Sequence, residues 1–102
     1  MVYFVRTAKV IGSKSQEAFK WSFKVADFIK NKTGTELELL MNVTGPQSEI
    51  HWLARTESVG AFEKSMSQLL ADQDYLKMLL EGLEYFVDGS AIDNYFRSVP
   101  RN

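Results

Sequence analysis

The sequence predicts an α+β domain with the order β-α-β-β-α-β, a four-stranded antiparallel sheet and both helices on one of its faces. Three observations predict it. Alternating or densely apolar runs fall at 2–10, 36–44, 48–56 and 92–99, as strands require. Between the first and second runs, and again between the third and fourth, apolar residues recur every three or four positions, as on one face of a helix. The chain has 102 residues, enough for one core, so 1–102 is expected to be a single domain.

Val2 to Val10 carries Val2, Tyr3, Phe4, Val5, Thr7 and Val10, residues favoured on a pleated surface. Apolar residues on both sides of the alternation suit a strand covered on both faces. Gly12 and Ser13 end it. Ser13 or Ser15 can cap a helix running to about Thr33. Its polar stripe is Glu17, Lys20, Lys24, Asp27 and Asn31, and its core face is Ala18, Ser22, Val25, Ala26 and Ile29. Trp21 and Phe28 share a flank between the two. They can wedge against the other helix, line a pocket or meet a partner. Gly34 tolerates the positive φ of a helix end.

Next, Leu37, Leu39, Met41 and Val43 alternate with polar neighbours, and Ser48 to Thr56 alternates again. A tight turn at Gly45-Pro46 sets the register Asn42 with Glu49, Leu40 with His51, Glu38 with Leu53 and Glu36 with Arg55. It gives one apolar face, including Ile50 and Trp52, and one mixed face. Ser58 can cap a second helix with Val59, Phe62, Met66, Leu69 and Leu70 as its apolar set. Asp72 to Asp74 interrupts it, and a further helical segment has Leu76, Leu79, Leu80 and Leu83 on one side. Gly82 weakens that segment, Gly89 ends it, and Ile92 to Val99 is the last strand before Pro100.

With 12 basic against 13 acidic residues the net charge is −1. That leaves no basic field for nucleic acid and no reason to expect an anionic membrane as partner. There is no cysteine, so disulfides, thiol catalysis and Cys-ligated metals are excluded. One histidine and scattered carboxylates do not make a metal set, and no Gly-rich phosphate loop follows the first strand. No cofactor is implied. Without a signal-like N-terminus or an apolar run long enough to span a bilayer, the cytoplasm is the expected compartment.

Helices crossing one sheet face leave the other bare. Here that face carries Leu40 and Leu53, and 13% of the chain is aromatic. Covering it stabilises by about 25 cal/mol per Å² of apolar area, and a two-fold copy is the commonest cover. A homodimer is expected, with Glu36, Leu40, Leu53 and Arg55 at its interface.

The opening VYFVRTAKV, the single long helix, the hairpin LELLMNVTG with SEIHWLART, and the late segment DQDYLKMLLEGLEYFVDGSAIDNYFRSV resemble, in layout, the dimeric α/β-barrel superfamily of ferredoxin-like proteins. That group includes small cofactor-independent monooxygenases of the antibiotic-biosynthesis type and NIPSNAP-like proteins. The resemblance implies two sheets packed face to face as a barrel, often with a ligand cavity between each sheet and its helices. It also implies, for some members, oxidation of aromatic or quinol-type compounds. The haem-degrading branch uses an asparagine on the first strand and a histidine on the second helix. Thr7 stands between Arg6 and Ala8, and 59–70 contains no histidine, so that activity is not carried over.

Two classes of function remain open: a monooxygenase-like enzyme acting on an aromatic or quinol-type substrate, and a non-catalytic ligand-binding or assembly module. His51, the one imidazole of the chain, is the candidate for proton transfer. A strand histidine near a dimer seam is more often just a buried, hydrogen-bonded side chain. Trp21, Phe28, Trp52 and Phe62, with Tyr95, are candidate walls for a small apolar or aromatic ligand, as well as plain core. Tyr3, Tyr75, Tyr85 and Tyr95 can each orient a ligand oxygen, and nothing in the sequence ranks them. Arg6, Arg55, Glu36 and Glu38 are read as cross-strand ion pairs.

Overall fold

The computed structural model describes residues 1–101. Its elements are β1 (Val2–Lys9), α1 (Ser15–Thr33), β2 (Leu37–Met41), β3 (Glu49–Thr56), α2 (Val59–Leu70), α3 (Gln73–Gly82) and β4 (Ile92–Arg97). Short 3-10 turns at Gly12–Lys14 and Leu83–Tyr85 flank α1 and α3. The strands form one antiparallel sheet in the order β2-β3-β1-β4. This is the expected β-α-β-β-α-β layout, with the second helical stretch divided in two.

Both edges of the sheet are open. β2 and β4 are the edge strands, and no ladder joins them among the described residues. The expected barrel is therefore corrected, and the assignment to the barrel superfamily with it: the chain carries an open, ferredoxin-like four-stranded sheet. The reason is geometric. Closing a barrel with a filled interior takes about eight strands, and four pair here.

Local chemistry explains the boundaries. α1 ends where Gly34, at φ 79°, donates its N–H to the Lys30 carbonyl at 2.8 Å, a left-handed cap that glycine adopts without strain. Ser58 Oγ caps α2 by accepting from Ala61 N at 3.1 Å. Asp72 breaks the second helix and caps α3, its Oδ1 accepting from Asp74 N and Tyr75 N. Lys32 at 3.0 Å holds the Asp72 carboxyl below the usual carboxylate range, helped by those backbone bonds.

The hairpin register follows the expectation, with Leu40 opposite His51 and Glu38 opposite Leu53. Its turn does not. Residues 42–48 leave the ladder as a wider loop, and Val43 projects into solvent. Asn42 and Gln47 close that loop with side-chain bonds to the Thr44 and Gly45 carbonyls.

The core lies between α1, α3 and the sheet. Ala18, Ser22, Val25 and Ile29 of α1 are buried as expected, and Ser22 Oγ donates to the Ala18 carbonyl at 2.7 Å, satisfying its buried hydroxyl. On α3 the buried side is Tyr75, Met78 and Gly82, while Leu80 and Leu83 are exposed. The expected leucine set is thus split across the helix. Trp21 packs against the buried side. Its indole N–H donates to the Met78 carbonyl at 2.8 Å, and its six-membered ring occupies the space a Cβ on Gly82 would fill. Gly82 is a contact that lets α3 approach α1.

Candidate functional site

Strand alternation sorts side chains onto two faces. Through the β1–β3 and β1–β4 registers, Phe4, Arg6 and Ala8 share the helix side with Trp52, Ala54, Asp93 and Tyr95. Tyr3, Val5 and Thr7 share the rear with His51, Leu53, Arg55, Ile92 and Phe96.

On the helix side the layers do not close completely. A cavity of about 100 Å³ lies between α1, α2, α3 and the sheet, with Trp21, Trp52 and Phe62 among its walls. A second space of about 250 Å³ lies beside it, under the segment 86–91. Arg6, Trp21, Trp52 and Leu79 border both. Small-molecule sites begin at roughly 300 Å³, and the larger of the two spaces comes near it. The walls are aromatic and interlocked. Trp21 meets Trp52 edge-on at 6.4 Å, and Phe86 meets both at 5.5 Å. Phe4, Phe62 and Tyr95 form a second cluster with centroids 4.7–5.4 Å apart.

Three of the five expected wall residues, Trp21, Trp52 and Phe62, line the cavity. Phe28 stands outside it, stacked on Tyr75 at 6.1 Å. Tyr95 backs the wall through Phe4 and Phe62, and burial beside the acidic Glu63 and Asp93 raises its phenol pKa. Arg6 and Tyr75 are among the polar residues at the cavity that were not expected as its walls. Arg6 binds Asp93 in a bidentate pair, Nε to Oδ1 at 2.7 Å and Nη2 to Oδ2 at 2.9 Å. That bond holds its pKa above the ordinary value despite partial burial. Tyr75 is 4% exposed, and burial raises its pKa against the opposing pull of Arg6. The signal that finds Arg6 is its two-residue spacing from Phe4 and Ala8; Tyr75 requires the position of α3.

His51 projects from the rear face, away from the cavity. Its Nδ1 is 2.7 Å from Thr7 Oγ1 and its Nε2 is 2.6 Å from Asn42 Oδ1, with Glu49 at 4.0 Å. The ring ties β1 and the hairpin loop to β3. Also on the rear, Arg55 pairs with Glu38 at 3.4 Å, its diagonal neighbour across the ladder. The expected Glu36–Arg55 pair does not form, because Glu36 precedes β2 and meets Lys30 of α1 at 3.0 Å. Leu40 and Leu53 lie on this face beside Ile92 and Phe96, of which Ile92 is 60% and Phe96 54% exposed. No group of carboxylates and histidine able to hold a metal ion occurs among the described residues. No helix there is long and apolar enough to cross a membrane.

No protein-family model matches this chain, and no curated protein matches it by sequence. Solved structures do. A NIPSNAP domain protein from Burkholderia xenovorans superposes with a TM-score of 0.83 at 13% identity, over 97% of this chain and 95% of that one. A NIPSNAP family protein with unknown function from Agrobacterium tumefaciens gives 0.79 at 20% identity, over 94% and 86%. SnoaB, a cofactor-independent oxygenase from Streptomyces nogalater, gives 0.72 at 18%, over 98% and 94%. At such identities the likeness is one of fold.

Proposed function

We propose that this chain is a small-molecule-binding module that works as a homodimer. The cavity beneath the helices takes a small apolar or aromatic ligand, and the rear sheet face takes a second copy. One observation carries the reading: an aromatic-walled cavity in the helix–sheet layer, with a second, larger space beside it that shares Arg6, Trp21, Trp52 and Leu79 as walls. His51 lies on the other face, so the reading gives it a tethering role and no proton transfer at the cavity.

The dimer rests on the uncovered apolar residues of the rear. Leu53 lies toward the middle of that face beside Val5; Leu40, Ile92 and Phe96 lie on its two edge strands, and Arg55 with Glu38 stands among them as a polar pair. Glu36 sits at the rim with its lysine partner. Burying these apolar residues supplies the energy, while rim charges set which surfaces mate.

Thermal unfolding against a panel of one- and two-ring compounds tests the cavity. A ligand at 100 times its Kd stabilises by about 2.7 kcal/mol, which for a domain of this size is a rise in Tm on the order of 10 °C. A panel that leaves Tm unmoved contradicts the reading.

A second reading, a cofactor-independent monooxygenase acting on an aromatic or quinol-type substrate, is supported by the same aromatic walls and by the fold likeness to SnoaB. In it the substrate supplies the electrons and the protein supplies a dry, shaped space. Oxygen uptake with quinol-type substrates is its test, and no uptake across a broad panel removes it.

A further inference from the structure

Arg6 and Tyr75 bring polar groups to a cavity whose walls are otherwise mostly apolar. Tyr75 is 4% exposed; its hydroxyl is in none of the side-chain hydrogen bonds among the described residues, and no side-chain oxygen there is both fully buried and unpaired, so the hydroxyl keeps contact with open space. Arg6 stands on the border between the inner cavity and the outer space. Asp93 takes its Nε and one Nη2 hydrogen, which leaves the Nη1 group as a donor. The same pair cancels the guanidinium charge. Asp88, the other charged residue bordering the outer space, adds negative potential there.

We infer that Arg6 and Tyr75 form a paired donor site for one neutral acceptor oxygen, a ketone or aldehyde carbonyl, on a flat and otherwise apolar ligand. The inference rests on the cavity being a binding site. A carboxylate is disfavoured, because it would meet a guanidinium already paired and two aspartates beside it, and would lose hydration on entering. An acceptor-free hydrocarbon is disfavoured because it would shield both donors from water and leave them without a partner. A carbonyl satisfies both donors without adding charge. Asp93 is thus a positioning residue that sets the charge the site accepts.

The chain has two tryptophans, and both border the cavity, so their indole N–H signals in a nitrogen–proton correlation spectrum report occupancy. Acetophenone, ethylbenzene and benzoate serve as probes, matched in ring and differing in the oxygen. On the unaltered protein acetophenone is expected to shift both signals with a Kd at least tenfold below that of ethylbenzene or benzoate. Tyr75→Phe, which removes one oxygen atom, should narrow the gap to ethylbenzene to under threefold while the ethylbenzene Kd stays within threefold. Arg6→Met should do the same. Should Arg6→Met fail to fold, Tyr75→Phe alone decides. Asp93→Asn frees the arginine charge and should tighten benzoate at least tenfold. If acetophenone and ethylbenzene bind the unaltered protein within threefold, or if Tyr75→Phe keeps the full gap, the donor-pair inference is overturned and the binding site stands. If none of the three probes moves either indole signal, the binding site itself is overturned, and the inference falls with it.

Discussion

On the helix side of the sheet, Ile50, Trp52 and Ala54 of β3 are buried; on the rear, their neighbours His51 and Leu53 are half-buried and Arg55 is exposed. Leu53 is more apolar than Ala54 and yet less covered. The difference teaches that burial here follows layers, not hydrophobicity alone. The helices cover one face and reach β4 only thinly, through Phe62 on Tyr95, and all six residues of that strand stay exposed. The covered face closes imperfectly and keeps a cavity. The rear has no layer of its own, and Leu40, Ile92 and Phe96 on it are exposed.

The sharpest test of that contrast compares adjacent residues. Trp52→Ala is expected to cost about 3–5 kcal/mol by urea unfolding, at any protein concentration. Leu53→Ala should cost far less in dilute protein and progressively more as concentration rises, because the loss appears through association. Equal, concentration-independent costs at both positions would break the comparison.

Gly82→Ala probes the packing of the covered face. Helix propensity alone predicts a gain of up to about 1 kcal/mol. The contact with Trp21 predicts the opposite sign, a loss of about 1–3 kcal/mol from overpacking. Thermal or urea unfolding decides between them, and a gain would show that Trp21 does not hold that place.

Phe96→Lys probes the rear. With no layer of the same chain above it, its effect on the isolated subunit should stay within about 0.5 kcal/mol, while self-association falls at least tenfold. Sedimentation of the variant beside the unaltered protein checks this.

The smallest effect concerns the break between α2 and α3, which roof the covered face. The fold depresses the Asp72 pKa, chiefly through Lys32. Its contribution is therefore full above the ordinary carboxylate range and is lost as pH falls through the lowered value. Asp72→Asn keeps a capping oxygen and loses the charge. It should be less stable than the parent at neutral pH and converge with it in acid, as read from urea midpoints at about pH 7 and pH 2–3. A constant difference across that range would contradict the assignment.

Much of this architecture was legible in the residues, for identifiable reasons. The hairpin register was readable because β2 and β3 each alternate, so a one-residue slip would turn both faces over. Ser58, Gly34 and the break at Asp72 were readable because caps are local. The open sheet was not, since strand spacing in a sequence carries no information about closure. The loop at 42–48 was not readable either, because Gly45-Pro46 suggests a tight turn while side-chain bonds of Asn42 and Gln47 stabilise a wider one. At the site, Trp21, Trp52 and Phe62 were readable from spacing. Arg6 was read only as one half of an ion pair and Tyr75 only as one of four unranked tyrosines, because their meeting depends on how α3 lies over β1. Phe28 and Tyr95 fell one ring away from the cavity, a distance that periodicity does not resolve.

Sedimentation velocity of the unaltered protein at micromolar concentration tests the division of the two faces most directly. The account predicts a species of twice the 11.7 kDa chain mass, dissociating on dilution and lost in Phe96→Lys. A stable 11.7 kDa species across that range, with the rear of the sheet wet, would contradict it.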